Sequence, residues 1–406
     1  MLPWTKSIME MNVKKVVLIA SLYPPFPKNV LGLWGGIEVA CEQFVESLRK
    51  KEIKISIISL DFIVPVSEDK ENIYRVGITN PYLLQPSLAS VISFVYKEFF
   101  RPIIFLKIYR YLAKEKPDVV IIGKTYQMSF SPYLAALILH VPYIIRYDWL
   151  CPTNPKPDLC SLKNRFKCAT CIQERTHKRI PKLAQLLSGP YFILLSLLKS
   201  YFWNKAYKIL AVSEFHKRLM ESFGIKHDKI EVVPEMVSPV EVDPEIIKEL
   251  EKKYKHNNSF IILYVGRLEP EKGPSILIEA FRDLYEKDPS FKLLVVGTGR
   301  LTRLIEEESK KNQNVMYVGQ IPHDQIGNYY AISDVVVIPS TVPEGHPLVA
   351  EEALLMKKPI IGFELGSLPE IIHNSSEGEL VKEIDSKTLA NAIFSLRKRI
   401  LLEKSN

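Results

Sequence analysis

The sequence predicts an α/β protein made of two doubly wound, parallel-sheet halves. Short apolar runs recur along the 406 residues, without the alternation of a half-exposed sheet, as strands buried on both faces require. Amphipathic stretches separate these runs, giving a β-loop-α-β succession. Glycines follow many of them, and the C-terminal ends of strands are where open α/β sheets bind ligands. The length suits two domains, read as 1–237 and 238–406.

In the first half, Val16–Ala20 reads as the opening strand. It imitates a signal-peptide core, but the run is short and no small-residue cleavage pattern follows, so a cytoplasmic protein is the expectation. A loop with Pro24, Pro25 and Pro27 ends in Trp34-Gly35-Gly36, which opens helix Ile37–Lys50; strand Ile55–Leu60 follows. The glycine pair either lets a phosphate or sugar approach the backbone or makes an ordinary tight turn. Strands Val119–Ile122 and Tyr143–Tyr147 come next, and Ile209–Val212 ends in Ser213-Glu214, a cap for helix Phe215–Phe223. Strand Ile230–Val233 closes the half, and Ser238–Asn258, charged and partly helical, reads as the connection.

Two stretches, 83–113 and 186–208, interleave Leu, Ile, Phe and Tyr with Lys97, Arg101, Lys107 and Arg110 in the first and with lysines in the second. They read either as core-packed helices or as faces that lie in an anionic membrane surface. Between them, Cys151, Cys160, Cys168 and Cys171 fall in a Pro- and Lys-rich insertion at 150–172. The terminal C-x2-C suggests a structural tetrathiolate zinc site; disulfides and free thiols stay open.

The second half opens with strand Ile261–Val265, then Gly266-Arg267-Leu268-Glu269-Pro270-Glu271-Lys272-Gly273, whose two cations can converge on one anion or form a solvated basic loop. Strand Lys292–Val296 ends in Gly297-Thr298-Gly299, expected to come close to a ligand, and Val315–Val318 precedes Gly319-Gln320-Ile321. Helix Asp324–Ile332 leads into strand Val335–Ile338, stopped by Pro339-Ser340. Pro347 then starts a helix, where its missing N–H costs nothing. The unpaired N–H groups of a helix start favour an anion, yet Glu344 and Glu352 flank this one. Carboxylates there suit sugar or ribose hydroxyls as partners; the plainer alternative is a cap and a solvated helix residue. Strand Pro359–Phe363, the turn Gly366-Ser367-Leu368-Pro369-Glu370, and a last helix at about Ser386–Lys404 complete the chain.

The E-x7-E spacing of Glu344 and Glu352, the Pro339-Ser340 before it, Pro347-Leu348-Val349 within it, the G-S-L-P-E turn and G-R-L-x-x-x-K-G at 266–273 resemble glycosyltransferase family 4. That resemblance implies the GT-B fold, two Rossmann-like domains facing a cleft, with the last helix packing back on the first domain. It implies a retaining, nucleotide-sugar-dependent transferase. On it, Glu344, Lys272 and Arg267 are the catalytic candidates. Gly35, Gly36, Gly266, Gly297, His346, Leu348, Val349 and Glu352 are the donor-binding ones, and the backbone at Gly319-Gln320-Ile321 would hold the nucleotide base. Family members carry first-domain histidines; here Ile121, Gly123 and Tyr147 occupy the candidate positions, leaving Lys124, Tyr126 and Asp148 as acceptor-side candidates. No D-x-D pair is present, so no metal cofactor is expected for catalysis.

The net charge of +8 has no compact basic run behind it, which argues against nucleic acid as a partner. It fits a phosphorylated donor, with a saccharide or lipid-linked acceptor. A soluble acceptor, or binding of a nucleotide-sugar without transfer, are the alternatives. No apolar run reaches the roughly 18–20 residues of a membrane span.

Overall fold

Two all-parallel sheets organise the chain. The computed structural model describes residues 13–20, 36–62, 73–79, 101–123, 125, 128–146, 182–235, 237, 240–255 and 259–403. The chain divides into two compact units, Met1–Pro234 and Glu235–Asn406.

The first unit runs β1 (Lys15–Ile19), α1 (Gly36–Arg49), β2 (Lys54–Phe62), β3 (Ile73–Thr79), α2 (Pro102–Glu115) and β4 (Val119–Ile122). It continues with α3 (Ser131–Ile138), β5 (Tyr143–Arg146), α4 (Lys182–Asn204), β6 (Lys208–Ala211), α5 (Glu214–Ser222) and β7 (Ile230–Val232). The second unit begins with α6 (Pro244–Tyr254), β8 (Phe260–Val265), α7 (Pro274–Lys287), β9 (Phe291–Val296), α8 (Thr302–Lys311) and β10 (Val315–Gly319). Then come α9 (Ile326–Ile332), β11 (Val335–Ile338), α10 (Leu348–Leu355), β12 (Ile360–Phe363), α11 (Leu368–Ile371), β13 (Gly378–Val381) and α12 (Ser386–Glu403).

The strand orders are β3-β2-β1-β4-β5-β6-β7 and β10-β9-β8-β11-β12-β13. Both follow the doubly wound plan, in which the order reverses beside the first strand. The reversal lies between β1 and β4 in the first sheet, and between β8 and β11 in the second.

The central strands are apolar throughout because each face meets a different core. In β1, Val17 and Ile19 join one cluster while Val16 and Leu18 join another. In β8, Ile262 and Tyr264 face one way, Ile261 and Leu263 the other. A shared device starts both sheets. Asp118 Oδ2, just before β4, accepts from the N–H groups of Lys14 and Lys15 at 2.8 Å. Asp334 Oδ2, just before β11, accepts from Ile261 N–H at 2.8 Å. Each carboxylate ties the start of the first strand to its neighbour across the order reversal.

The elements missed by sequence have weak patterns for identifiable reasons. Strand β3 lies at the sheet edge, so its Tyr74 and Arg75 are not buried. Helix α3 is short and buries Ser131, Pro132, Tyr133, Ala135 and Ala136, which leaves little polar face to mark a period. The connection, by contrast, is helical in part as its charged sequence suggests, and contains α6. Asp243 caps it by accepting from Glu245 N–H at 2.9 Å, and its Leu250 and Tyr254 enter the second unit's core.

Helices α2 and α4 carry the described parts of the two basic-aromatic stretches, while 83–100, with Lys97, lies outside the described residues. One face of each is core: Ile104, Ile108 and Leu112 on α2, Leu195 and Trp203 on α4. The other is exposed and apolar: Ile103 and Leu106 on α2, Leu194, Leu197 and Tyr201 on α4. Among the described residues, no helix is long and apolar enough to cross a membrane. Helix α12 buries Leu389, Ile393 and Leu396 with Phe281 and Leu284 of α7, inside its own unit.

Candidate active site

The loops after β8 and β11 meet at the order reversal of the second sheet. Gly273, at φ +70°, lies so near the second loop that an added Cβ would be 1.8 Å from the Pro339 carbonyl oxygen. Thr341 N–H donates to the Glu271 carbonyl at 3.0 Å, a second tie between the loops. The turn before α11 closes from the other side. A Cβ on Gly366 would sit 2.4 Å from the Glu344 carbonyl oxygen, and Ser367 N–H donates to that oxygen at 3.0 Å. These backbone approaches set the side chains.

Lys272 Nζ donates to Glu344 Oε2 at 2.5 Å, with both side chains largely buried. Ser340 Oγ donates to the other oxygen, Oε1. Burial alone would raise the Glu344 pKa, but Lys272 and Ser340, with Arg267 adding its charge, hold it below the usual carboxylate range. Glu344 is therefore an ionised acceptor at neutral pH. Arg267 lies 3.9 Å from Glu271. Glu269 and Glu271 also engage the exposed Arg300, which follows Gly299. The two cations therefore meet carboxylates from different loops.

Gly266 and Gly297 serve the loop packing. At φ +132°, a Cβ on Gly297 would lie 1.9 Å from the Gly266 carbonyl oxygen. One on Gly299 would lie 2.5 Å from that of Leu268. Both glycines thus bring the loop after β9 against the loop after β8.

Helix α10 starts beside Glu344. The N–H groups of Leu348 and Val349 open it, with no partner available inside a helix at those positions. His346 is nearly buried, its Nε2 3.3 Å from Glu351 Oε1. Neither a cap nor a solvated residue describes the glutamates: α10 has no side-chain cap, and Glu352 is 4% exposed. Glu352 Oε1 accepts from His323 Nε2 at 2.8 Å, and Oε2 from Tyr330 Oη at 2.7 Å. Sequence reading missed His323 and Tyr330. The available signal was a histidine three residues before α9, with a tyrosine seven residues on.

The structure thus brings Arg267, Lys272, Glu344, His346, Leu348, Val349, Glu352, Gly266 and Gly297 into one unit, on the loops after neighbouring strands and on α10. Gly36 begins α1 of the other unit. Gly35, Lys124, Tyr126, Asp148 and the four clustered cysteines lie outside the described residues. Among the described residues no cluster of side chains suits a metal.

Comparison with known proteins places this architecture. The fold is GT-B. Anabaena HepE, solved in complex with UDP-glucose, superposes with a TM-score of 0.66 over 95% of this chain and 90% of that one, at 16% identity. Sucrose-phosphate synthase from Thermosynechococcus elongatus gives 0.65 over 97% and 90%, at 19% identity. Residues 34–240 match Glycosyltransferase Family 4, and residues 246–400 match Glycosyl transferases group 1. The chain belongs to glycosyltransferase family 4, and it spans about half or less of the length of most of the curated relatives it matches. An uncharacterised glycosyltransferase of Methanocaldococcus jannaschii is 23% identical over 90% of this chain and 84% of its own length. A lipopolysaccharide 1,2-N-acetylglucosaminetransferase of Salmonella typhimurium is 33% identical over 33% of this chain. That match spans only 38% of the Salmonella enzyme.

Proposed function

We propose that the protein is a retaining glycosyltransferase that takes a sugar from a nucleotide diphosphate-sugar held by the second unit and transfers it to an acceptor hydroxyl. The observation that carries this reading is the Lys272–Glu344 pair at the order reversal, 2.5 Å apart beside the start of α10. A cation, an ionised acceptor and free helix N–H groups are there together. Relatives and structural neighbours point the same way: HepE was solved with UDP-glucose.

In this reading Lys272, Arg267 and the N–H groups of Leu348 and Val349 receive the diphosphate. Charge grows on that leaving group as the glycosidic bond breaks, so donors already in place lower the barrier. Glu344, kept ionised, accepts from hydroxyls of the transferred sugar and fixes the anomeric carbon. Glu352 accepts from the ribose. The acceptor hydroxyl enters on the face the diphosphate leaves and passes its proton to a phosphate oxygen, which retains the configuration without a protein nucleophile. The side-chain cations supply the charge a divalent ion would otherwise bring.

The acceptor is lipid-linked or membrane-proximal. Its support is the exposed Ile103 and Leu106 on α2, with Lys107 and Arg110 exposed beside them, and the stripe Leu194, Leu197, Tyr201 and Lys205 on and just after α4. Basic and apolar side chains on one helix face suit an anionic bilayer surface.

A thermal-shift panel of UDP-, GDP- and ADP-sugars in EDTA tests the donor, since a ligand that binds only the folded chain stabilises it by mass action. One nucleotide-sugar should raise the melting temperature, and NMR of the product should show the donor's anomeric configuration. No hit across the panel, or an inverted product, would overturn the reading.

A further inference from the structure

We propose that His323 and Tyr330 are positioning residues for nucleotide recognition, fixing the Glu352 carboxylate in the orientation in which it accepts ribose hydroxyls. The inference rests on reading Glu352 as the ribose acceptor and extends it to two residues that never touch the sugar's reacting centre.

The arrangement draws on three elements. Glu352 projects from α10, Tyr330 from α9, and His323 from the short 3-10 turn His323–Gln325 that follows β10. Tyr330 is fully buried and Glu352 nearly so, whereas the His323 side chain is 46% exposed. An ionised carboxylate offers about four lone-pair sites, two on each oxygen. His323 takes one on Oε1 and Tyr330 takes one on Oε2. One site on each oxygen remains, which is what two neighbouring ribose hydroxyls require. Without the two donors, the side chain would have to be held by packing alone.

Both donors are suited to a permanent role. Burial, reinforced by the charge of Glu352, pushes the Tyr330 pKa well above its usual value, so the phenol keeps its proton. The hydrogen bond to Glu352 raises the His323 pKa against the opposing effect of burial. Only Pro322 separates the turn carrying His323 from Gly319-Gln320-Ile321, the segment that the family resemblance gives to the base. His323 thereby ties the segment read as holding the base to the carboxylate read as holding the ribose.

The test is calorimetric binding of UDP, GDP and ADP, each beside its 2′-deoxy counterpart, to the intact wild-type chain and to His323→Ala, His323→Gln and Tyr330→Phe. A hydrogen bond to a charged group predicts that the wild type prefers the ribonucleotide by roughly 10- to 100-fold. His323→Ala should lose affinity for the ribonucleotide, leave the deoxynucleotide nearly unchanged and bring the ratio toward unity. His323→Gln keeps an N–H donor and should restore the preference. Tyr330→Phe should reproduce the collapse while the chain stays folded by circular dichroism. A His323→Ala chain that keeps the wild-type ratio, or that weakens both nucleotides equally, overturns the positioning role. A wild type that binds nucleotide with no ribose preference removes instead the underlying role of Glu352. Failure of all three nucleotides to bind removes the donor reading and the inference with it.

Discussion

Replacing Gly273 by alanine should disable the site through backbone geometry alone. The added methyl would lie 1.8 Å from the Pro339 carbonyl oxygen and 2.8 Å from its carbon, whereas ordinary contact begins at 3.4 Å. About 1.6 Å must therefore open between two backbone segments, and no side-chain rotation can supply it. The left-handed conformation at φ +70° adds a cost of about 1–2 kcal/mol for a residue with a Cβ. Lys272 is the preceding residue, and Pro339 precedes Ser340, so the separation falls on the two donors to Glu344. Misplacement by about 1 Å can cost about 100-fold in rate. Urea unfolding and donor turnover, measured together, should show a moderate loss of stability and at least that loss of rate. Gly224→Ala is the control: it has φ +83° and nothing within 4 Å of the added Cβ, so only the conformational cost should appear. Wild-type turnover by Gly273→Ala would show that the Gly273–Pro339 approach does not set the site.

Two further outcomes are expected. His216 is buried on α5, and burial pushes its pKa down from 6.5 to about 4. In the unfolded chain it takes a proton near 6.5, whereas the folded chain resists until about 4. Stability should therefore fall as pH drops through that window, by up to about 3 kcal/mol, and be fully present above it. Urea unfolding between pH 7 and 4 should show this loss, and His216→Gln should flatten it; an equally steep profile in the variant would assign the loss elsewhere. Sedimentation with anionic vesicles checks the exposed helix faces. The wild type should bind, and Ile103→Ser with Leu197→Ser should weaken partitioning by roughly tenfold, as the loss of two half-buried apolar contacts implies. No binding by the wild type favours a soluble acceptor.

Much of the second unit is legible in the sequence because its signals are local. The strand Val335–Ile338 is apolar at every position, being buried on both faces, and its neighbours share that property. Gly273, Gly297 and Gly366 mark turns that only residues without a Cβ can make at these approaches. Glu344 and Lys272 stand out for the chemistry of an anion site. What the sequence does not display is pairing across elements. Nothing local says that Lys272 meets Glu344, 72 residues away. Nor does it say that His323 and Tyr330 converge on Glu352 from separate segments, or that Asp118 and Asp334 perform the same task in the two sheets. Edge strand β3 and the nearly all-buried α3 escaped because their periodicity is suppressed by where they sit.

In the proposed function the Lys272–Glu344 pair grips and activates a nucleotide-sugar. The direct measurement is slow release of sugar from the donor that stabilises the wild type, in EDTA, by wild type, Lys272→Ala and Glu344→Ala. The wild type should hydrolyse the donor, and each variant should lose about 100-fold or more in rate while keeping its unfolding transition. Wild-type release by either variant would contradict the claim.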